Sequence, residues 1–209
     1  LLLKKLTEKL PASLNGIRPM LIYPLGGLLA IGAVMCGTNP VMGIINTAIS
    51  TWLNSMGDTS RVLMGAIVAA LMGIDMGGPL NKATYVFGTA ALASGNYEIM
   101  ASVMVGGMVP PIVIALSTTF FPKKWTADER RNGIINYVMG LCFVTEGAIP
   151  YAATDPLRVI PSCAIGSALA GALSMVFGCA LRAPHGGIFV FPGVEHAPLY
   201  LVALAAGSM

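Results

Sequence analysis

Glu146 is the side chain whose position demands most of its surroundings. It lies in the apolar block GLCFVTEGAIPYAA with no cation near it in sequence. At membrane depth a carboxylate costs about 2.5 kcal/mol or more on insertion scales. A ligand with adjacent hydroxyls, such as a sugar, offsets that cost, because an ionised acceptor makes stronger hydrogen bonds than a neutral one. Gly147 and Pro150 loosen the helix here, which is tolerated at depth only where backbone lines a cavity or is buried in protein. Thr145, Glu146 and Gly147 therefore form one group of candidate substrate-binding residues. The competing reading of Glu146 is a structural ion pair or an interfacial helix cap.

A second group lies in GIDMGGPLNKA, where Gly77, Gly78 and Pro79 end one helix and allow another to start. Asn81 can donate to and accept from a polyol, while Asp75 and Lys82 can neutralise one another. Asp75 and Asn81 read equally well as caps of two half-helices. His185, in RAPHGGIFVF, is both donor and acceptor when neutral, and its glycines permit close backbone approach. It suits a sugar hydroxyl, or else the support of a bent loop.

Other chemistry finds little support. Glu195 and His196 read as a loop pair near a membrane edge, with no catalytic role. Cys36, Cys142, Cys163 and Cys179 are widely spaced in apolar blocks and form no CxxC pair, so they indicate neither a metal site nor a disulfide framework. The 13 methionines read as packing residues. No phosphate loop or nucleophile signature occurs, so no catalytic residue and no cofactor is expected.

The elements that would position these residues follow from composition. Of 209 residues, 56% are hydrophobic and 10% charged, against about 25% charged in soluble domains. The apolar residues come in blocks, several near the ~20 residues that span a bilayer. The net charge of +3 is small and its basic residues cluster at block ends, which argues against nucleic-acid binding.

Lys4, Lys5, Lys9 and Arg18 precede the block Met20 to Gly37 and place that end in the cytoplasm. Val41 to Met56 reads as an amphipathic interfacial helix. Lys123, Lys124, Arg130 and Arg131 mark a second cytoplasmic loop, so Ile99 to Phe121 runs inward. Residues 61–95 then begin and end outside, as two arms of about fourteen residues, each short of a crossing. Gly133 to Thr145 is also too short to span, Leu157 to Leu181 is long enough, and Ile188 to Met209 reads as a last apolar run. Residues 1–60 are thus expected to hold a basic segment, one transmembrane helix and the interfacial helix. Residues 61–209 are expected to hold a transport region with re-entrant segments near 75–82 and 145–151, the arrangement that carriers use for a midplane site. The opening LLLKKLTEKLP reads as the continuation of a longer chain, N-terminally incomplete.

The blocks DMGGPLNKATYVFG, MVPPIVIAL, GLCFVTEGAIPYAATDPLRVIP and APHGGIFVF together resemble the fructose family of enzyme IIC, the membrane domain of the phosphoenolpyruvate-dependent sugar phosphotransferase system. The resemblance runs from about Lys4 to Met209. It implies an all-α, polytopic transmembrane helix bundle of the glucose-fructose-lactose superfamily type, in a homodimer set in lipid in the bacterial inner membrane. It implies Glu146 as principal sugar ligand, with His185, Asp75 and Asn81 as weaker carry-overs. It further implies a cytoplasmic IIB domain whose phosphocysteine phosphorylates the sugar, since no such motif lies in this chain. An ion-coupled secondary sugar transporter with Glu146 as proton carrier is the alternative, and a sugar-binding receptor without transport is a third.

Overall fold

The computed structural model describes residues 23–55 and 61–209. The basic segment with Lys4, Lys5, Lys9 and Arg18 lies outside the described residues. The chain divides into two compact units, Leu1–Ile45 and Asn46–Met209. In the first unit the described residues belong to helix α1, Tyr23–Ser55, a single helix through Pro40 that continues into the second unit. It covers residues that the sequence divides between a spanning block and an interfacial one.

The rest of the second unit is built on α2, Arg61–Asp75, α3, Pro79–Ala93, and α4, Tyr97–Phe120. A short 3-10 turn, Pro122–Lys124, leads to α5, Ala127–Gly133, and α6, Ile135–Leu141. The 3-10 turn Thr145–Ala148 then joins α7, Ile149–Thr154, and α8, Pro156–Val176. After α8 come β1, Ala180–Leu181, the 3-10 segment Gly187–Gly193, β2, Val194–Glu195, and α9, Ala197–Ser208. The described residues are thus overwhelmingly helical, as composition and resemblance led us to expect.

At 1.5 Å per residue, α4 is about 36 Å long and α8 about 31 Å, enough for a hydrocarbon core of about 30 Å. Their mean hydropathies of 2.1 and 1.8 agree. Helices α2 and α3 have 15 residues each, about 22 Å.

Every residue of α4 from Ile99 to Pro111 is buried. It is apolar all round and forms the centre of the unit. Against it lie α2 and α8, joined by small residues at a spacing of four. Gly65, Ala69 and Gly73 make a stripe along α2. A Cβ on Gly171 of α8 would collide with the Gly65 carbonyl, and one on Gly106 of α4 would lie 2.5 Å from the Ala69 Cα. Such close backbone approach is how helices associate when lipid removes the hydrophobic drive between them. The outer face of α8 exposes Ile165, Leu169 and Val176, and α9 exposes Leu201 and Val202.

The apolar run Ile188 to Met209 is divided: Gly187–Gly193 winds as 3-10, and His196 takes a left-handed conformation at φ 60° before α9 starts. One expectation, the loop pair of Glu195 with His196, is corrected. Glu195 pairs with Arg182 at 2.9 Å rather than with His196. A two-residue antiparallel ladder, Ala180 opposite Glu195 and Leu181 opposite Val194, closes the loop that carries His185. Tyr200 anchors α9 by donating its hydroxyl to the Ala101 carbonyl at 2.9 Å.

Candidate functional site

Three non-helical stretches meet beside the centre of α4: the turn Met76–Gly78, the stretch from Cys142 to Ala148, and the loop after β1. Between them lies a cavity of about 260 Å³ whose walls include Asn81, Lys82, Tyr85, Phe143, Thr145, Glu146 and His185. Four of the six sequence candidates, Asn81, Thr145, Glu146 and His185, therefore share one chamber. Asp75 and Gly147 do not line it.

Asp75 acts as a cap. Its carboxylate accepts from the Leu80 N–H at 2.7 Å and the Asn81 N–H at 2.9 Å, the two amides that α3 leaves without helical partners. Both oxygens are thus engaged by backbone, and Lys82 reaches a different acid. Its ammonium lies 3.4 Å from Glu146 Oε1, across 64 residues of sequence. The side chains are 59% and 47% exposed, so the pair faces the chamber without sealing it. Asn81 is buried and donates its amide to the Met72 carbonyl at 3.0 Å, which fixes its orientation and leaves its oxygen for other partners.

The turn before α3 also shapes the position of Glu146. Gly77 has φ +120°, a conformation that side chains rarely adopt, and a Cβ there would lie 2.9 Å from the Glu146 Cγ. Glycine therefore does two jobs: it makes the turn, and it leaves room for the carboxylate.

Thr145 is held from the other side. Pro110 and Pro111 sit inside α4, and proline has no N–H to give to the carbonyl four residues earlier. Those carbonyls belong to Gly106 and Gly107. The Ser167 hydroxyl donates to Gly106 at 2.8 Å and the Thr145 hydroxyl to Gly107 at 3.0 Å. Side-chain hydroxyls commonly repair proline-broken helices at membrane depth. The Thr145 proton is thereby committed to α4, and what the residue offers the chamber is an acceptor oxygen and a fixed place for its neighbour.

Phe143 precedes the 3-10 turn Thr145–Ala148 in a left-handed conformation, φ 62°, unusual for a bulky residue. Its ring lies 5.1 Å from that of His185 at 59° and 6.3 Å from that of Tyr85. This packing gives the chamber an apolar wall. His185 makes no hydrogen bond among the described residues, so its ring nitrogens are open to a ligand. Gly147 turns to the opposite side, where a Cβ would collide with the Asn136 amide oxygen.

Sequence reasoning missed Lys82 as the partner of Glu146, together with Tyr85 and Phe143. Tyr85 was within reach: Asn81 and Tyr85 are four apart on a helix and share a face. Glu98, away from the chamber, pairs with the exposed Arg61 at 3.4 Å. Among the described residues no cluster of side chains fits a metal ion.

No family model matches the chain, and no solved structure matches it. Curated relatives do. Over its full length the chain is 49% identical to the PTS system fructose-specific EIIABC component of Bacillus subtilis (strain 168), and it spans 33% of that protein. Over the same length it is 50% identical to the fructose permease IIC component of Bacillus amyloliquefaciens, of which it spans 69%. Over 96% of its length it is 46% identical to the PTS system fructose-specific EIIB'BC component of Escherichia coli (strain K12), covering 36% of it. Half of all positions shared with a protein of which it covers two thirds, continuous across α2 to α9, is common descent: the chain belongs to the fructose permease IIC family.

Proposed function

We propose that this chain is the sugar-translocating part of a phosphotransferase-system permease, and that it binds fructose or a close relative in the 260 Å³ chamber. The observation that carries the reading is the convergence of Asn81, Glu146 and His185 on one cavity with an aromatic wall, in a member of this family. Glu146 accepts hydrogen bonds from two neighbouring sugar hydroxyls, Lys82 and Asn81 complete the polar side, and the Phe143 and Tyr85 rings face the apolar side of the sugar. Thr145 and Gly147 position the carboxylate, and Asp75 holds the start of α3.

The arms α2 and α3 form a re-entrant hairpin with the Met76–Gly78 turn at its tip, and α6 with α7 forms a second around Thr145–Ala148. Their tips meet at the chamber, as in carriers whose substrate sits at the midplane between discontinuous helices. The loop bearing Lys123, Lys124, Arg130 and Arg131 faces the cytoplasm. The protein is a multi-pass homodimer in lipid of the bacterial inner membrane.

Relatives whose names join EIIB to EIIC support a IIB partner. That partner supplies the phosphoryl group from its phosphocysteine, and the sugar hydroxyl takes it at the cytoplasmic face. Membrane vesicles holding the whole permease test this with labelled fructose. Labelled sugar phosphate should accumulate only when the IIB domain and its phosphoryl donor are supplied. Free fructose driven inward by a pH gradient alone would contradict the reading and favour a proton-coupled carrier.

A further inference from the structure

Glu146 lines a second cavity as well. This one measures about 380 Å³ and is walled by Glu129, Asn132, Asn136, Gly147 and Thr154 together with Glu146. Glu146 is the one described residue common to both cavities. Glu129 and Asn132 sit on α5 or its first turn, in the same basic loop that carries Arg130 and Arg131, so the second cavity opens toward the face assigned to the cytoplasm.

Its walls are those of a binding site. Asn136 lines the cavity, and although the residue as a whole is only 2% exposed, its side-chain amide has no hydrogen-bond partner among the described residues and faces that open space. A side-chain amide on a cavity wall offers two donors and an acceptor oxygen to a ligand. Gly147 keeps the space in front of it clear, because a Cβ there would collide with the Asn136 oxygen. Asn132 and Thr154 are exposed along the same walls.

The charge of the cavity narrows the ligand. Two carboxylates line it, and no Lys or Arg does among the described residues; Lys82 lines the first chamber only. Glu129 is held in place by Thr126, accepting from its N–H at 2.8 Å and its hydroxyl at 2.7 Å. Those hydrogen bonds also hold its carboxyl below the usual range. Neutral hydroxyls suit such a lining, whereas a phosphate dianion meets the unpaired charge of Glu129 and no cation on the cavity wall, the Glu146 charge being shared with Lys82.

We propose that this second cavity is a cytoplasmic-side subsite for the unphosphorylated sugar. Asn132, Asn136 and Thr154 bind hydroxyls there, Glu146 passes the sugar from one cavity to the other, and the acidic lining, Glu129 above all, rejects the phosphorylated product. The subsite rests on the function proposed above, and the test separates the two.

Asn132→Cys and Thr154→Cys are placed singly in the whole permease, with Asp128→Cys as a reporter on the same helix outside the cavity. Inside-out vesicles are treated with a membrane-impermeant maleimide, and modification at each position is read by peptide mass. Fructose binding by each variant is measured in parallel. With fructose at about ten times its dissociation constant, modification at 132 and 154 should slow about tenfold, as the free-site population falls. Modification at 128 should not change, and a fructose phosphate at the same concentration should protect neither site. If the variants bind fructose but neither 132 nor 154 is protected, the subsite is wrong and the first chamber stands alone. Equal protection by the fructose phosphate would overturn the charge argument. Failure of the unsubstituted permease to bind fructose at all would overturn the function on which the subsite rests.

Discussion

The Thr145 hydroxyl donates to the Gly107 carbonyl at 3.0 Å, and Gly107 is the residue four before Pro111. The residue that adjoins Glu146 thus also mends the break that proline makes in α4. This hydrogen bond ties the central helix directly to the turn that bears the carboxylate.

Thr145→Val keeps the shape but leaves the Gly107 carbonyl buried without a donor, a loss of about 1 to 3 kcal/mol. Thermal unfolding of the purified permease should show it, and sugar affinity should fall as Glu146 loses its fixed place. Thr145→Ser should retain both properties. Ser167→Ala, which strips the neighbouring Gly106 carbonyl, should lower stability to a similar degree without changing affinity.

Gly77 and Gly95 form a matched pair. Both have positive φ, +120° and +83°, but a Cβ at Gly77 meets Glu146 while one at Gly95 meets nothing within 4 Å. Alanine at either position should cost about 1 to 3 kcal/mol through backbone strain. Only Gly77→Ala should weaken fructose binding. Equal binding in the two variants would remove the turn from the site.

The Lys82–Glu146 pair is open on both sides, so its contribution to stability is small. Lys82→Met should change unfolding free energy by no more than about 1 kcal/mol. A far larger loss on denaturant or thermal unfolding would identify a structural clamp in place of a ligand-facing pair.

In the basic loop after α4, Thr126 and Glu129 form a reciprocal capping box at the start of α5. The hydrogen bonds from Thr126 lower the Glu129 carboxyl below its ordinary 4.5. The folded form therefore binds its proton less readily than the unfolded form. The stabilisation is complete above about the ordinary value and is lost as pH falls through the lowered one. Amide exchange across residues 127–133, corrected for its intrinsic pH dependence, should lose protection over that acidic range. Glu129→Gln should abolish the pH dependence.

Much of this architecture is legible in sequence because lipid imposes lengths. The 24-residue α4 and the two 15-residue arms around Gly77, Gly78 and Pro79 follow from counting apolar residues between polar breaks. Glu146 stands out because a lone acid in an apolar block needs a partner. Its partner does not stand out: Lys82 lies 64 residues away and closer in sequence to Asp75, with which charge alone would pair it. Asp75 itself was ambiguous, since a short acid before a helix serves either as cap or as ligand, and only the two amide contacts decide it. Within the apolar run Ile188 to Met209, hydropathy does not register the left-handed turn at His196 or a ladder of two residues. The repair of Pro110 and Pro111 by Ser167 and Thr145 joins residues 61 and 38 apart, beyond any local pattern.

Equilibrium binding of labelled fructose to the whole permease carrying Glu146→Gln, beside Glu98→Gln as control, tests the central claim most directly. The amide keeps the shape of Glu146 but loses a charge-assisted acceptor, about 1.5 to 3 kcal/mol, or roughly a 10- to 150-fold rise in dissociation constant. Glu98 pairs with Arg61 and lines neither cavity, so its variant should bind as the unsubstituted protein does. Equal affinity in the two variants would contradict a sugar-binding role for Glu146.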